Sequence, residues 1–334
     1  MSDKVPDATT TTRRSRWPRR AAAVLLALVV LAGAVLLAIE IRWKRHFDAP
    51  YPAIAASHDP AIVARGEYLV YGAAACAYCH VPREHWGRLE RGERLPLSGN
   101  HLFRLPFGEI YSANLTPDPA TGIGRRSDGQ LARILRHGVR ADGRAAFPMM
   151  ELQLSDEDLT AAISYLRAQR PTPLAVPEHR LTRFGKALMA FAIAPATAAA
   201  APERSPAGAT VARGEYLTNH VSSCVVCHTN RGEDGALVGP RFAGGQRMDV
   251  AADAAKVFVS PNLTPDPETS PVGAWSEDTF VARFKVGEVL PGTPMPWGAY
   301  KQLTEEDVRA IYRYLRSLPP TRNAAGPAIQ AKLR

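Results

Sequence analysis

Cysteine is scarce in this 334-residue chain: there are four, all in two short phrases, Cys76-Ala77-Tyr78-Cys79-His80 and Cys224-Val225-Val226-Cys227-His228. None is left over for a disulfide, which excludes the small disulfide-stapled scaffolds. Basic charge is also missing from most of the chain, despite a net charge of +9. The first 45 residues hold nine Lys/Arg against three acids, so only +3 remains for everything after them. No basic patch is left that would mark a nucleic-acid partner. A composition of 46% hydrophobic and 22% charged residues excludes global disorder, while 28 prolines imply long irregular connections. The length fits two domains.

One long apolar run is present. Ala21 to Ile39 is 19 uncharged residues, about 28 Å as a helix at roughly 1.5 Å per residue, close to the thickness of a bilayer core. Six basic residues precede it and three follow, which favours residues 1–20 as a cytoplasmic tail, with Trp17 and Trp43 as interfacial anchors. A cleaved signal peptide ending near Ala32-Gly33-Ala34 is the rival. The run continues past that point and exceeds a signal core, so a retained transmembrane anchor over 21–39 is the expectation. It implies a single-pass protein of the inner membrane with the rest of the chain in the periplasm. A second apolar stretch, Ala187 to Ala201, is broken by Pro195 and too short to span; it reads as part of a linker, 171–207, packed on the protein surface.

The chain is duplicated. Ala64-Arg65-Gly66-Glu67-Tyr68-Leu69 returns as Ala212-Arg213-Gly214-Glu215-Tyr216-Leu217, and the offset of 148 is kept by Cys76/Cys224, His80/His228 and the phrase Asn-Leu-Thr-Pro-Asp-Pro at Asn114 and Asn262. This period is far longer than a solenoid repeat and means duplicated domains, 60–170 and 208–320. Each copy predicts a helix leading into its Cys-x-x-Cys-His motif, then a helix capped by Ser127 or Ser276 and closed by Gly138 or Gly287. A last helix opens at Ser155 or Thr304 and stops before Pro171 or Pro319. In that last helix Leu159, Ile163 and Leu166, or Val308, Ile311 and Leu315, form one buried face. Little strand signal accompanies them, so the fold class expected is all-α.

Two cysteines three positions apart can both reach the vinyl groups of one haem, and the histidine that follows lies under the iron. A redox dithiol or half of a zinc site shares the bare Cys-x-x-Cys spacing. The immediate histidine, twice over, points instead to two covalently attached haem c groups held by Cys76, Cys79 and His80 and by Cys224, Cys227 and His228. Such a cofactor would supply core mass that the helices lack. A methionine as second axial ligand separates an electron carrier from an open, reactive iron. Met295, flanked by prolines in the loop before the last helix, is one candidate. In the first copy Met150 is preferred over Met149, although Met150 follows Gly138 by 12 residues where Met295 follows Gly287 by 8. His46, His58, His85, His101, His137, His179 and His220 do not recur at the repeat offset and read as surface or hydrogen-bonding residues. Arg65/Arg213 and Tyr68/Tyr216 do recur, either to bond a haem propionate or to brace a helix contact.

These motifs, with Ser-Asp-Glu-Asp-Leu at the start of the last helix and Pro294-Met295-Pro296-Trp297, resemble the class I cytochrome c family in duplicate. The plan is similar to diheme cytochrome c subunits of periplasmic dehydrogenases and to the anchored diheme subunit of some haem-copper oxidases. The resemblance implies His80 and His228 as proximal ligands, the four cysteines as thioether donors and Met295 as distal ligand. It also implies a non-enzymatic electron carrier between a dehydrogenase and an oxidase or soluble cytochrome. A diheme peroxidase, which would keep one iron open, is the alternative; a methionine in both copies argues against it.

Overall fold

The structure is a computed structural model that describes residues 17–147, 149, 152–195, 202–232, 235–250 and 253–332. Helix α1 (Trp17–Arg42) contains the apolar run, and its leucines and valines are exposed along their length. Residues Arg19–Arg42 are long and apolar enough to cross a membrane. The predicted span thus lies inside a single longer helix.

Each copy of the repeat then builds the same frame. In the first, α2 (Pro60–Tyr68) starts at Asp59, whose side chain accepts from the Ala61 amide, with Pro60 in the first turn. It runs through a π-helical turn, 69–73, into α3 (Cys76–His80). A short helix α4 (Trp86–Glu90), α5 (Asp128–His137) and α6 (Asp156–Ala168) follow. Ser127 and Gln130 form a capping box, and Gly138 closes α5 in the left-handed region. After α7 (Arg183–Phe191) the second copy repeats the plan in α8 (Val211–Tyr216), a π-turn over 217–221 and α9 (Cys224–His228). Helices α10 (Pro271–Ala274), α11 (Glu277–Val286), α12 (Trp297–Tyr300) and α13 (Glu305–Ser317) complete it. The expected caps Ser127, Ser155, Ser276 and Thr304 all accept from the amide three residues on.

The two large helix pairs, α2 with α6 and α8 with α13, meet at a glycine. A Cβ at Gly66 would lie 2.6 Å from the Ala161 carbonyl carbon, and one at Gly214 would lie 2.6 Å from that of Ala310. The backbones therefore touch, and the predicted inner faces Leu159, Ile163 and Leu166, and Val308, Ile311 and Leu315, are buried beside them.

The all-α expectation needs one correction. Strands β1 (Leu102–Leu105), β2 (Gly108–Tyr111) and β3 (Arg180–Leu181) make one antiparallel sheet, and β4 (Arg247–Val250), β5 (Asp253–Val259) and β6 (Ile329–Ala331) make another. Both hairpins occupy the long stretch between the cysteine motif and the Asn-Leu-Thr phrase. Backbone donors and acceptors in a connection of that length have no helix to join, and pairing satisfies them. The outer strands β3 and β6 come from segments that follow the last helix of each copy, so each sheet also ties down the chain as it leaves. The region read as a linker includes a regular helix, α7, whereas residues 196–201 lie outside the described residues.

Candidate functional site

The same sequence of backbone events delivers each Cys-x-x-Cys-His motif. The π-turn ends at a single residue in the left-handed region, Ala75 (φ 50°) or Ser223 (φ 50°), and the short helix carrying both cysteines and the histidine starts there. Two non-glycine residues held in this region at equivalent positions are strain kept by the surroundings, a pattern that clusters at functional sites. The turn redirects the chain so that α3 and α9 each present two thiols and an imidazole together.

The imidazoles are fixed in one tautomer. His80 Nδ1 lies 2.8 Å from the Ala113 carbonyl, and His228 Nδ1 lies 3.1 Å from the Pro261 carbonyl. A carbonyl can only accept, so Nδ1 carries the proton and Nε2 keeps its lone pair. Burial pushes both imidazoles below the ordinary histidine value even though the carbonyl bonds pull the other way. Each is thus a neutral nitrogen donor with its outer hydrogen bond made, the state a metal-ligating histidine requires. The accepting carbonyls are held by close backbone approach. Gly99 (φ 75°) and Gly244 (φ 72°) donate to the carbonyls of His80 and His228, both at 2.8 Å, and a Cβ on either would fall 2.5 Å from Ala113 or Pro261.

The thiols behave alike. All four cysteines are free, and burial pushes those of Cys76 and Cys224 up to about 12. Reactive dithiols have lowered values, so this setting does not suit redox exchange. Among the described residues no group of three or more His, Cys, Asp or Glu is placed to hold a metal. One histidine and one cysteine pair per motif fit a haem, which brings the rest of its own coordination. Trp86 Nε1 and His101 Nδ1 are buried without a protein partner beside the first motif, where Trp86 stacks on His101 (ring centroids 5.1 Å apart) and packs on Tyr78 (5.3 Å). His101, read as a surface or hydrogen-bonding residue, is 4% exposed.

Met295 is partly buried against the core, in the turn that opens α12. Tyr300, at the end of that helix, donates to the Ser222 carbonyl at 3.0 Å and so brings the methionine loop against the second cysteine motif. Met150 lies outside the described residues; Met149 is partly buried against the core.

The two motifs are neighbours. Ser222 Oγ, two residues before Cys224, donates to the carbonyl of Ala73, three residues before Cys76, at 2.7 Å. Tyr78, between the first pair of cysteines, fills the space over Gly298, where a Cβ would overlap its hydroxyl. The recurring Arg and Tyr residues brace this contact. Asp158 holds Arg65 of its own copy (2.9 and 3.1 Å) and accepts from Tyr216 of the other (2.9 Å). Asp307 reciprocates, holding Arg213 (2.8 and 3.0 Å) and accepting from Tyr68. Neither aspartate stands out in the sequence except by its shared third place in the first turn of the last helix. The Asn-Leu-Thr-Pro-Asp-Pro phrase is a latch: Asn114 Nδ2 donates to Thr172 O and Asn262 Nδ2 to Thr321 O, both at 2.8 Å, which locks each loop to the chain leaving the last helix.

Residues 209–315 match the family model described as cytochrome c oxidase, cbb3-type, subunit III. The chain is 30% identical over 297 residues to the cytochrome c subunit of the quinone alcohol dehydrogenase of Gluconacetobacter polyoxogenes, covering 80% of this chain and 58% of that protein. It is 31% identical over 289 residues to the fructose dehydrogenase cytochrome subunit of Gluconobacter japonicus, covering 80% and 54%. A diheme cytochrome c-type protein of Cereibacter sphaeroides is 28% identical over 329 residues, 90% of this chain and 99% of that one. The chain spans a little over half the length of these two dehydrogenase subunits.

Proposed function

We propose that the chain carries electrons from a periplasmic or membrane dehydrogenase to a respiratory acceptor through two haem c groups, a reading supported by its similarity to cytochrome c subunits of dehydrogenases and to a diheme cytochrome c-type protein. Haem supplies a one-electron iron couple when bound. In this reading Cys76 and Cys79, and Cys224 and Cys227, are the thioether donors of two tandem class I cytochrome c domains, 60–170 and 208–320. His80 and His228 would hold the iron through Nε2. Met295, and Met150 outside the described residues, would be the further ligands, which suits a carrier rather than bond-making chemistry. Trp86 and His101 would have their unpartnered ring nitrogens free for a haem carboxylate. Helix α1 anchors the chain in the inner membrane by a single pass, with residues 1–20 cytoplasmic and the haem domains in the periplasm.

The observation that carries this reading is the duplicated hydrogen bond from histidine Nδ1 to a loop carbonyl, directly after each cysteine pair. The test is covalent haem per chain, measured as the pyridine haemochrome. The wild type is expected to carry two, and both Cys76→Ala/Cys79→Ala and Cys224→Ala/Cys227→Ala one. A wild type with one haem, or a variant that keeps two, refutes it.

A further inference from the structure

Helix α7 turns its apolar face outward. On its inner side Gly185 sits so close to the Phe107 backbone that a Cβ there would lie 3.1 Å from the carbonyl carbon, and Ala190 has no exposed surface. Lys186 also points inward, to Glu40 of α1 at 2.7 and 2.9 Å, with its ammonium 5.3 Å from the Trp43 ring. The opposite side is Phe184, Ala187, Leu188 and Phe191, at three- and four-residue spacing. Phe184 is 58% exposed and Phe191 55%. A single exposed phenylalanine needs no explanation, but an ordered apolar stripe on a helix whose lysine is turned inward does.

The height of α7 along α1 is fixed by several contacts. Besides the Lys186–Glu40 pair, the Arg42 guanidinium lies 5.6 Å from the centre of the Phe191 ring, and Arg45 donates to the Ile193 carbonyl. Helix α7 therefore lies beside the last turn of α1, where the uncharged run ends and Arg42, Trp43, Lys44 and Arg45 begin. If α1 spans a bilayer, this is the headgroup level, and a short helix there with aromatic and leucine side chains outward has the character of an interfacial membrane helix. We propose that α7 is a second membrane contact, lying in the phospholipid interface with Phe184, Leu188 and Phe191 turned into the acyl boundary. It holds the first haem domain against the membrane surface. The proposal rests on the reading of α1 as a transmembrane anchor.

The test is nitroxide accessibility in the full haem-loaded chain, reconstituted in phosphatidylcholine–phosphatidylglycerol vesicles. Phe184→Cys and Phe191→Cys are labelled singly, with Ala187→Cys on the same face as a further site should a phenylalanine variant fail to fold. Val35→Cys in α1 and the exposed Val286→Cys serve as references. The expected result is an oxygen-to-nickel-chelate accessibility ratio at the α7 sites several-fold above that at position 286 and below that at 35. Water-like values at 184, 187 and 191 with lipid values at 35 overturn the α7 contact and leave the anchor intact. A water-like value at 35 overturns the anchor and the α7 contact with it.

Discussion

Removing the Asp307 carboxylate is expected to cost more than removing its counterpart Asp158, for a reason visible in their partners. Asp307 and Arg213 form an ion pair in which both side chains are 7% exposed, and Tyr68 from the other copy donates to the same carboxylate. In Asp307→Ala the Arg213 guanidinium stays buried with Ser205, the Pro206 carbonyl and the face of Tyr216, none of them a counter-charge. Stranding one member of a buried pair costs about 3–5 kcal/mol, against about 0–1 kcal/mol for an exposed pair. Asp158 has no exposed surface, but its partner Arg65 is 30% exposed and can turn to water, and Tyr216 keeps Ser155 as an alternative partner. The loss in Asp158→Ala should therefore sit at about 1–3 kcal/mol, the cost of unsatisfied hydrogen-bonding groups. Urea unfolding of the haem-loaded chain in detergent, followed by far-UV circular dichroism at neutral pH, measures both. Arg213→Met with Asp307→Leu should regain most of what Asp307→Ala loses, since an apolar pair needs no compensation. Burial by itself would raise the Asp307 carboxyl, yet Arg213 and Tyr68 hold it below the ordinary carboxylate value. A folded value below the unfolded one, near about 3.9, means that its stabilisation is complete above that pH and is lost as pH falls through the folded value. Asp307→Ala should accordingly lose less stability than the wild type on acidification through that window. A neutral-pH loss under about 1 kcal/mol, or a double variant no more stable than the single one, would refute the reasoning.

Gly66→Ala and Gly214→Ala should each destabilise by about 1–3 kcal/mol or more, because the added methyl must separate two backbones in contact; melting temperatures should fall by about 2–4 °C per kcal/mol. Gly33→Ala, where nothing lies within 4 Å, should leave the melt unchanged. Gly99→Ala and Gly244→Ala should displace the carbonyl that accepts from the neighbouring histidine, and should alter the visible spectrum of one haem each while the other keeps its bands.

The helices, their caps and the duplication were legible because each depends on a few neighbouring residues: a hydroxyl three positions before a free amide, or a Cys-x-x-Cys-His phrase. What escaped was set across distance. Ala113 and Pro261 accept from the histidines through their backbone, so no side chain marks them, although both stand immediately before the repeated Asn-Leu-Thr phrase. The hairpins are too short and too irregular in pattern to stand out from a proline-rich loop. Tyr68 and Tyr216 announced themselves by recurring, but that each would reach the aspartate of the opposite copy depends on how the copies dock. Helix α7 hid in a stretch that is alanine-rich and ends in proline, where apolar content says little about which face is turned outward.

The hydroxyl of Ser222 on the carbonyl of Ala73 ties a side chain of one copy to the main chain of the other, just upstream of both cysteine pairs. A serine hydroxyl is one carbon from its own main chain and the Ala73 it meets is fully buried, so this tie has little room to swing. In the two-haem reading the gap an electron must cross is then built in at folding and unchanged during turnover. Passage inside the chain would be indifferent to solvent viscosity, and any slow step would belong to the arrival and departure of partners.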